Sequence, residues 1–170
     1  MKPSHVFLIL GGLEGEDGWV DSGGMLGLRD QLVAAGFIVT VFSWDHSQQV
    51  DAPIATWSAT PGALTIVIGF SGGASRATWL HQPIDLLIGY DPSPAWWVRP
   101  IHNVKKAICY HNNHPAMWVP FIGWLGGGQY TGPQVTTYEI NGGKGEWHMA
   151  VQFNSDLHAQ TVAACEALVA

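Results

Sequence analysis

Two patterns of apolar residues succeed one another along this chain: short uninterrupted runs, and longer stretches in which apolar residues recur every third or fourth position. The runs His5–Leu10, Phe37–Trp44, Leu64 to the glycine at 69, Ile84–Tyr90, Lys106–Tyr110 and Val135–Ile140 predict strands. The run at 64 is apolar or β-branched without a charge, and that at 84 is continuously apolar from Leu86 on, as in strands covered on both faces. The helical spacing first emerges after Ser22, where Met25, Leu28, Leu32 and Ala35 share a face and Gly36 is placed to end the helix. A short helix is expected over Asp51–Ser58, with Pro53 tolerated in its first turn. A third should run from Gly72 to Gln82, close to the sheet through Ala74 and Ala77, until Pro83 stops it. The last starts near Ser155 or Asp156 and puts Leu157, Thr161, Ala164, Cys165 and Leu168 on one side. Strands alternating with helices in this way predict an α/β fold. It would be a doubly wound, mostly parallel sheet of about six strands with helices on both faces, in a single domain over 1–170 without repeats or linkers.

One span breaks the regularity. Ala107 to Tyr138 contains no Asp, Glu, Lys or Arg, and the apolar stretch from Pro115 to Gly128 is interrupted by proline and glycine. It is neither a long helix nor a membrane span. The segment 111–134 is therefore either a covered loop that completes the core or a mobile apolar flap beside a cleft. Trp96, Trp97, Trp118, Trp124 and Trp147 are candidates for the rim of such a cleft.

Charge narrows the partners. With 12% charged residues and a net charge of −6, the chain has no basic face for nucleic acid or an anionic membrane. A small or lipid-like ligand is expected. Cys109 and Cys165 fall on apolar elements and read as reduced, buried thiols. The lysine and short apolar run at the start lead into glycines and acids rather than a cleavage site, so the first strand is expected to belong to a mature cytoplasmic protein. No segment is long and apolar enough for a membrane span. The loop Gly11–Gly18 fits neither G-x-G-x-x-G nor a phosphate loop with lysine, so no nucleotide is expected, and no other cofactor is implied.

The chemistry concentrates at Gly69-Phe70-Ser71-Gly72-Gly73, a G-x-S-x-G pentapeptide directly after an apolar strand. Glycines two before and two after the serine leave room for a sharp strand-to-helix turn that lifts a hydroxyl above the sheet. A serine needs an adjacent base, and the base a third group to hold its tautomer. Asp91 at the next strand end and His148 before the last helix supply the order serine, acid, histidine. Glu146 and Asp85 compete for the acid, although Glu146 is two residues from His148 and Asp85 opens its strand at the wrong edge. His111 and His114 form an H-x-x-H with no third ligand nearby, so no metal site is expected. Arg76, on the nucleophile helix, is expected to pair with a carboxylate. The oxyanion of an acyl intermediate would meet the N–H of Gly72 and that of Gly12 or Leu13.

These features together resemble the α/β-hydrolase superfamily. Asp91 in Gly89-Tyr-Asp91-Pro92, directly after the next strand, is similar to the acid's placement in pancreatic-type lipases, and the compact core without a cap domain resembles cutinases. Gly73 and the Gly18–Met25 stretch resemble small bacterial and phage-borne hydrolases or thioesterases. Phe70 departs from the histidine or tyrosine common before the nucleophile in that superfamily, and is a candidate for substrate contact. The resemblance implies a serine hydrolase of a carboxylic ester or thioester with an apolar acyl group, acting through an acyl-enzyme. An acyltransferase, or a non-catalytic binding module on the same scaffold, are the alternatives.

Overall fold

A computed structural model of the chain describes residues 2–12, 23–93, 95–113, 127–143 and 147–170. Six strands, β1 (Ser4–Ile9), β2 (Ile38–Phe42), β3 (Leu64–Phe70), β4 (Ile84–Tyr90), β5 (Val104–His111) and β6 (Val135–Glu139), form one sheet. Its order is β2-β1-β3-β4-β5-β6, and every neighbouring pair is parallel. The expected doubly wound sheet is thus present, and parallel throughout.

The period-two alternation of the strands sorts the core into two layers. Val6, Leu8, Ile66, Ile68, Leu86 and Ile88 face α1 (Gly23–Ala34) and α4 (Ser155–Val169), while Phe7, Ile9, Val67 and Leu87 face α2 (Asp51–Ser58) and α3 (Gly72–Ala77). Helix α1 is capped by Gly36, two residues past its end, whose φ of 91° is left-handed and lets Phe37 N–H reach the Leu32 carbonyl at 3.1 Å. Helix α4 starts at Ser155, as expected, and its N-cap is Asn154, whose side chain accepts from the N–H groups of Asp156 and Leu157.

Helix α3 ends at Ala77, five residues short of the expected Gln82. The Asp51 carboxylate explains the difference, because Oδ1 captures the N–H of His81 at 2.9 Å and of Gln82 at 3.3 Å. Those groups would otherwise bond back along a helix.

At the carboxyl end of the sheet, strand register places Phe70, Tyr90, Tyr110 and Tyr138 opposite one another in one row across four strands. The residues that follow them are Ser71, Asp91, His111 and Ile140's neighbour Glu139. Among the described residues no helix is long and apolar enough to cross a membrane. Cys109 and Cys165 are free, buried and on opposite faces of the sheet, as reduced thiols on apolar elements should be.

Candidate active site

The turn from β3 into α3 is built by its two outer glycines. A Cβ on Gly69 would meet the Ala74 backbone at 2.6 Å, and one on Gly73 would meet the Leu10 and Ile9 carbonyl oxygens at 2.3 and 2.4 Å. Only at glycine can α3 press this closely onto β1 and β3. The compression leaves Ser71 at φ 52° and ψ −120°, a conformation that L side chains rarely adopt. The backbone ladder continues past the strand ends: Ser71 N–H bonds the Tyr90 carbonyl at 2.9 Å, and Asp91 N–H bonds the Tyr110 carbonyl at 2.8 Å. Serine and aspartate are thereby held on adjacent strands.

His148 arrives from the other side. It opens a 3₁₀ turn, His148–Phe153, that packs against α1, where Gly24 permits contact with the Gln152 backbone. Its ring stacks on Phe70 with 5.1 Å between centroids and 25° between planes. Its Nδ1 lies 2.6 Å from Asp91 Oδ2, and its Nε2 lies 2.7 Å from Ser71 Oγ. A carboxylate only accepts, so Nδ1 carries the proton and donates it to Asp91. Nε2 is then bare and accepts from the serine hydroxyl. All three residues are buried, with Asp91 fully enclosed.

Two partners of Asp91 went unforeseen. Gly127 N–H donates to Oδ1 at 3.0 Å, and Asn112 Nδ2 donates to Oδ2 at 3.3 Å. Asn112 follows the end of β5, so the rule that sites gather at carboxyl strand ends could have pointed to it. Gly127 left no such signal. Asp85, a competing acid, sits at the opposite end of β4, where it accepts from Thr65 N–H at 2.8 Å and from Lys105 Nζ at 2.6 Å. Glu146 lies outside the described residues.

For the oxyanion candidates, Gly12 N comes within 3.2 Å of where a Cβ on Gly72 would stand, so the two glycine backbones adjoin beside Ser71. Leu13 lies outside the described residues, as do Trp118, Trp124 and His114. His111 Nδ1 faces the Gly128 carbonyl at 3.4 Å, and no cluster of metal-binding side chains occurs among the described residues.

The aromatic candidates divide. Trp96 and Trp147 are each 64% exposed, and Trp147 immediately precedes His148. Phe70 was expected to touch substrate, but it has no exposed surface. Its ring belongs to the core beneath His148. Trp97 is half-buried, and its ring stacks on Trp44 with centroids 5.9 Å apart, so it forms part of a wall of indoles. The expected carboxylate partner of Arg76 is not found among the described residues; its guanidinium lies among Trp44, Trp79 and Trp97. Of the segment 111–134, the described end folds down: Tyr130 is buried over Gly89, and its hydroxyl donates to the Ala74 carbonyl at 2.8 Å.

The architecture matches solved structures. The chain is similar to a hydrolase of the α/β superfamily from Xanthomonas campestris pv. campestris, with a TM-score of 0.56 at 14% identity, over 94% of this chain and 98% of that one. Two acetyl xylan esterase structures match with a TM-score of 0.52 at 12% identity, one over 100% of both chains and the other over 99% of both. The chain therefore has the α/β-hydrolase fold. No protein-family model and no curated protein sequence matches it.

Proposed function

We propose that this protein is a serine hydrolase of carboxylic esters that works through an acyl-enzyme on Ser71. The observation that carries the reading is the continuous buried contact from Asp91 Oδ2 through the His148 ring to Ser71 Oγ. In the first half-reaction Oγ bonds to the ester carbonyl carbon while its proton passes to His148 Nε2. The carbonyl electron pair moves to oxygen, and the oxyanion is met by the N–H groups of Gly72 and of Gly12 or Leu13. Collapse of this intermediate expels the alcohol oxygen, which takes the proton from Nε2, and leaves an ester on Ser71. Water then attacks that ester with His148 again accepting a proton. The second collapse returns the proton to Ser71 and releases the carboxylic acid.

Asp91 stays ionised throughout and holds Nδ1 protonated. Phe70 sets the height and tilt of the imidazole through its stack, a positioning role. The exposed indoles of Trp96 and Trp147 support an apolar acyl group. A fluorophosphonate probe should label the wild type and leave Ser71→Ala unlabelled; equal labelling of both overturns the reading. Ser71→Ala and His148→Ala should each lower turnover of a short p-nitrophenyl ester by several powers of ten, with the double variant little worse, because the three residues act as a unit. A panel varying acyl length and leaving group, oxygen against sulfur, then fixes the substrate class.

A further inference from the structure

A pocket lies on the α2 and α3 face of the sheet, apart from the Ser71 contact. It has a volume of about 260 Å³ and is bounded by Ser47, Asp51, Arg76, Trp79, Leu80 and Arg99. That is just below the range usual for drug-sized ligands and suits a smaller one. Arg76 and Arg99 enter it as planar cations already oriented by stacking. The Arg76 Cζ lies 4.3 Å from the ring centre of Trp79, 4.8 Å from that of Trp97 and 5.8 Å from that of Trp44. The Arg99 Cζ lies 3.8 Å from the Trp79 ring centre. Both guanidiniums thus share one indole.

No described carboxylate pairs with either arginine, and among the described residues Arg76 Nε is buried without a hydrogen-bond partner. Asp51, which also lines the pocket, is already engaged. Its Oδ1 accepts from the N–H groups of His81 and Gln82, and its Oδ2 meets His81 Nδ1 at 2.9 Å. Arg76 is partly buried and Arg99 exposed, and guanidiniums with unpaired N–H edges are suited to gripping an oxyanion.

We propose that this pocket binds a small organic anion. Its phosphate, sulfate or carboxylate group meets Arg76 and Arg99, and its ring or chain lies against Trp79 and Leu80. The assignment does not rest on the chemistry of Ser71, and it adds a binding site to the protein rather than a step to the hydrolysis.

Phenyl phosphate is the first probe, titrated at constant ionic strength by calorimetry and by indole fluorescence, with inorganic phosphate, benzoate and neutral benzyl alcohol alongside. Saturable binding of phenyl phosphate is expected, tighter than that of inorganic phosphate, and at least about tenfold tighter than that of benzyl alcohol. The strength of benzoate relative to phenyl phosphate then tells a carboxylate from a phosphate ligand. Ser71→Ala should bind as the wild type does. Arg99→Gln, a change at an exposed side chain that leaves the core intact, should weaken phenyl phosphate by about tenfold or more while fluorophosphonate labelling of Ser71 is unaltered. Arg76→Lys keeps the charge but loses the planar stack, and should also weaken binding. No saturable binding at millimolar concentration, equal affinity for benzyl alcohol, or affinity unchanged in Arg99→Gln overturns the proposal and leaves the arginines as packing for the indole wall.

Discussion

Replacing Asp91 by asparagine changes one atom and exposes the logic of the whole site. The carboxylate accepts from three donors: Gly127 N–H on Oδ1, and Asn112 Nδ2 and His148 Nδ1 on Oδ2. An amide has one acceptor and one donor end, so one of these places must receive an NH2. If it turns to Gly127, two buried donors face each other, at a cost of about 1–3 kcal/mol in stability. If it turns to His148, the imidazole escapes by moving its proton from Nδ1 to Nε2, and Asn112 can swivel its carbonyl to help. The second arrangement satisfies more groups and is the one expected. Nε2 then points an N–H at Ser71 Oγ and can no longer take its proton. Loss of the correct tautomer costs serine hydrolases of this design about 10⁴ in kcat, or roughly 5.5 kcal/mol of barrier. The assay is kcat and KM on a p-nitrophenyl ester, with circular dichroism and thermal melting to confirm that the variant folds. A folded Asp91→Asn enzyme retaining more than about a tenth of wild-type kcat refutes the reasoning, because the tautomer would then not matter.

Further expectations follow from the packing and the buried groups. Gly73→Ala drives a Cβ to 2.3 and 2.4 Å from the backbone oxygens of Leu10 and Ile9, so it should cost at least about 3 kcal/mol, or roughly 6–12 °C in Tm. A melt within about 2 °C of wild type would show the contact to be slack. Burial pushes the thiols of Cys109 and Cys165 up to about 12. Neither should react with Ellman's reagent at pH 8 in the native protein, and both should react in guanidinium; a fast native thiol contradicts their enclosure. Burial also lowers the pKa of His158, against the opposing pull of its bond to the Gln152 carbonyl. The fold holds this ring neutral, so its contribution to stability is complete above the unfolded value of about 6.5 and drains away as pH falls below it. Urea midpoints between pH 7.5 and 5 should therefore fall less steeply in His158→Gln than in the wild type; parallel profiles would remove His158 from the account.

Much of this arrangement was legible in the residues because it is local. Uninterrupted aliphatic runs marked the strands, and G-x-S-x-G after one of them marked the sharp turn, since glycine is the residue that lets α3 touch β1. What escaped came from contacts distant in sequence. The early end of α3 depends on Asp51, thirty residues before His81, as shown by their separation along the chain. Phe70 looked like a ligand contact because it neighbours the serine, but strand alternation sends its ring into the core under His148. Arg76 was expected to find a carboxylate, and no spacing rule announces three tryptophans brought in from Trp44, Trp79 and Trp97.

The row of rings from Phe70 to Tyr138 doubles as a gauge of assembly. A slip of one position between β3 and β4 would bring Tyr90 or Pro92 to the rim in place of Asp91, and would turn every inward ring outward. A misaligned molecule is then compact yet chemically silent. The fraction of a refolded sample that takes up an active-site label would count the molecules whose strands have zipped together correctly, a census that optical spectra alone do not provide.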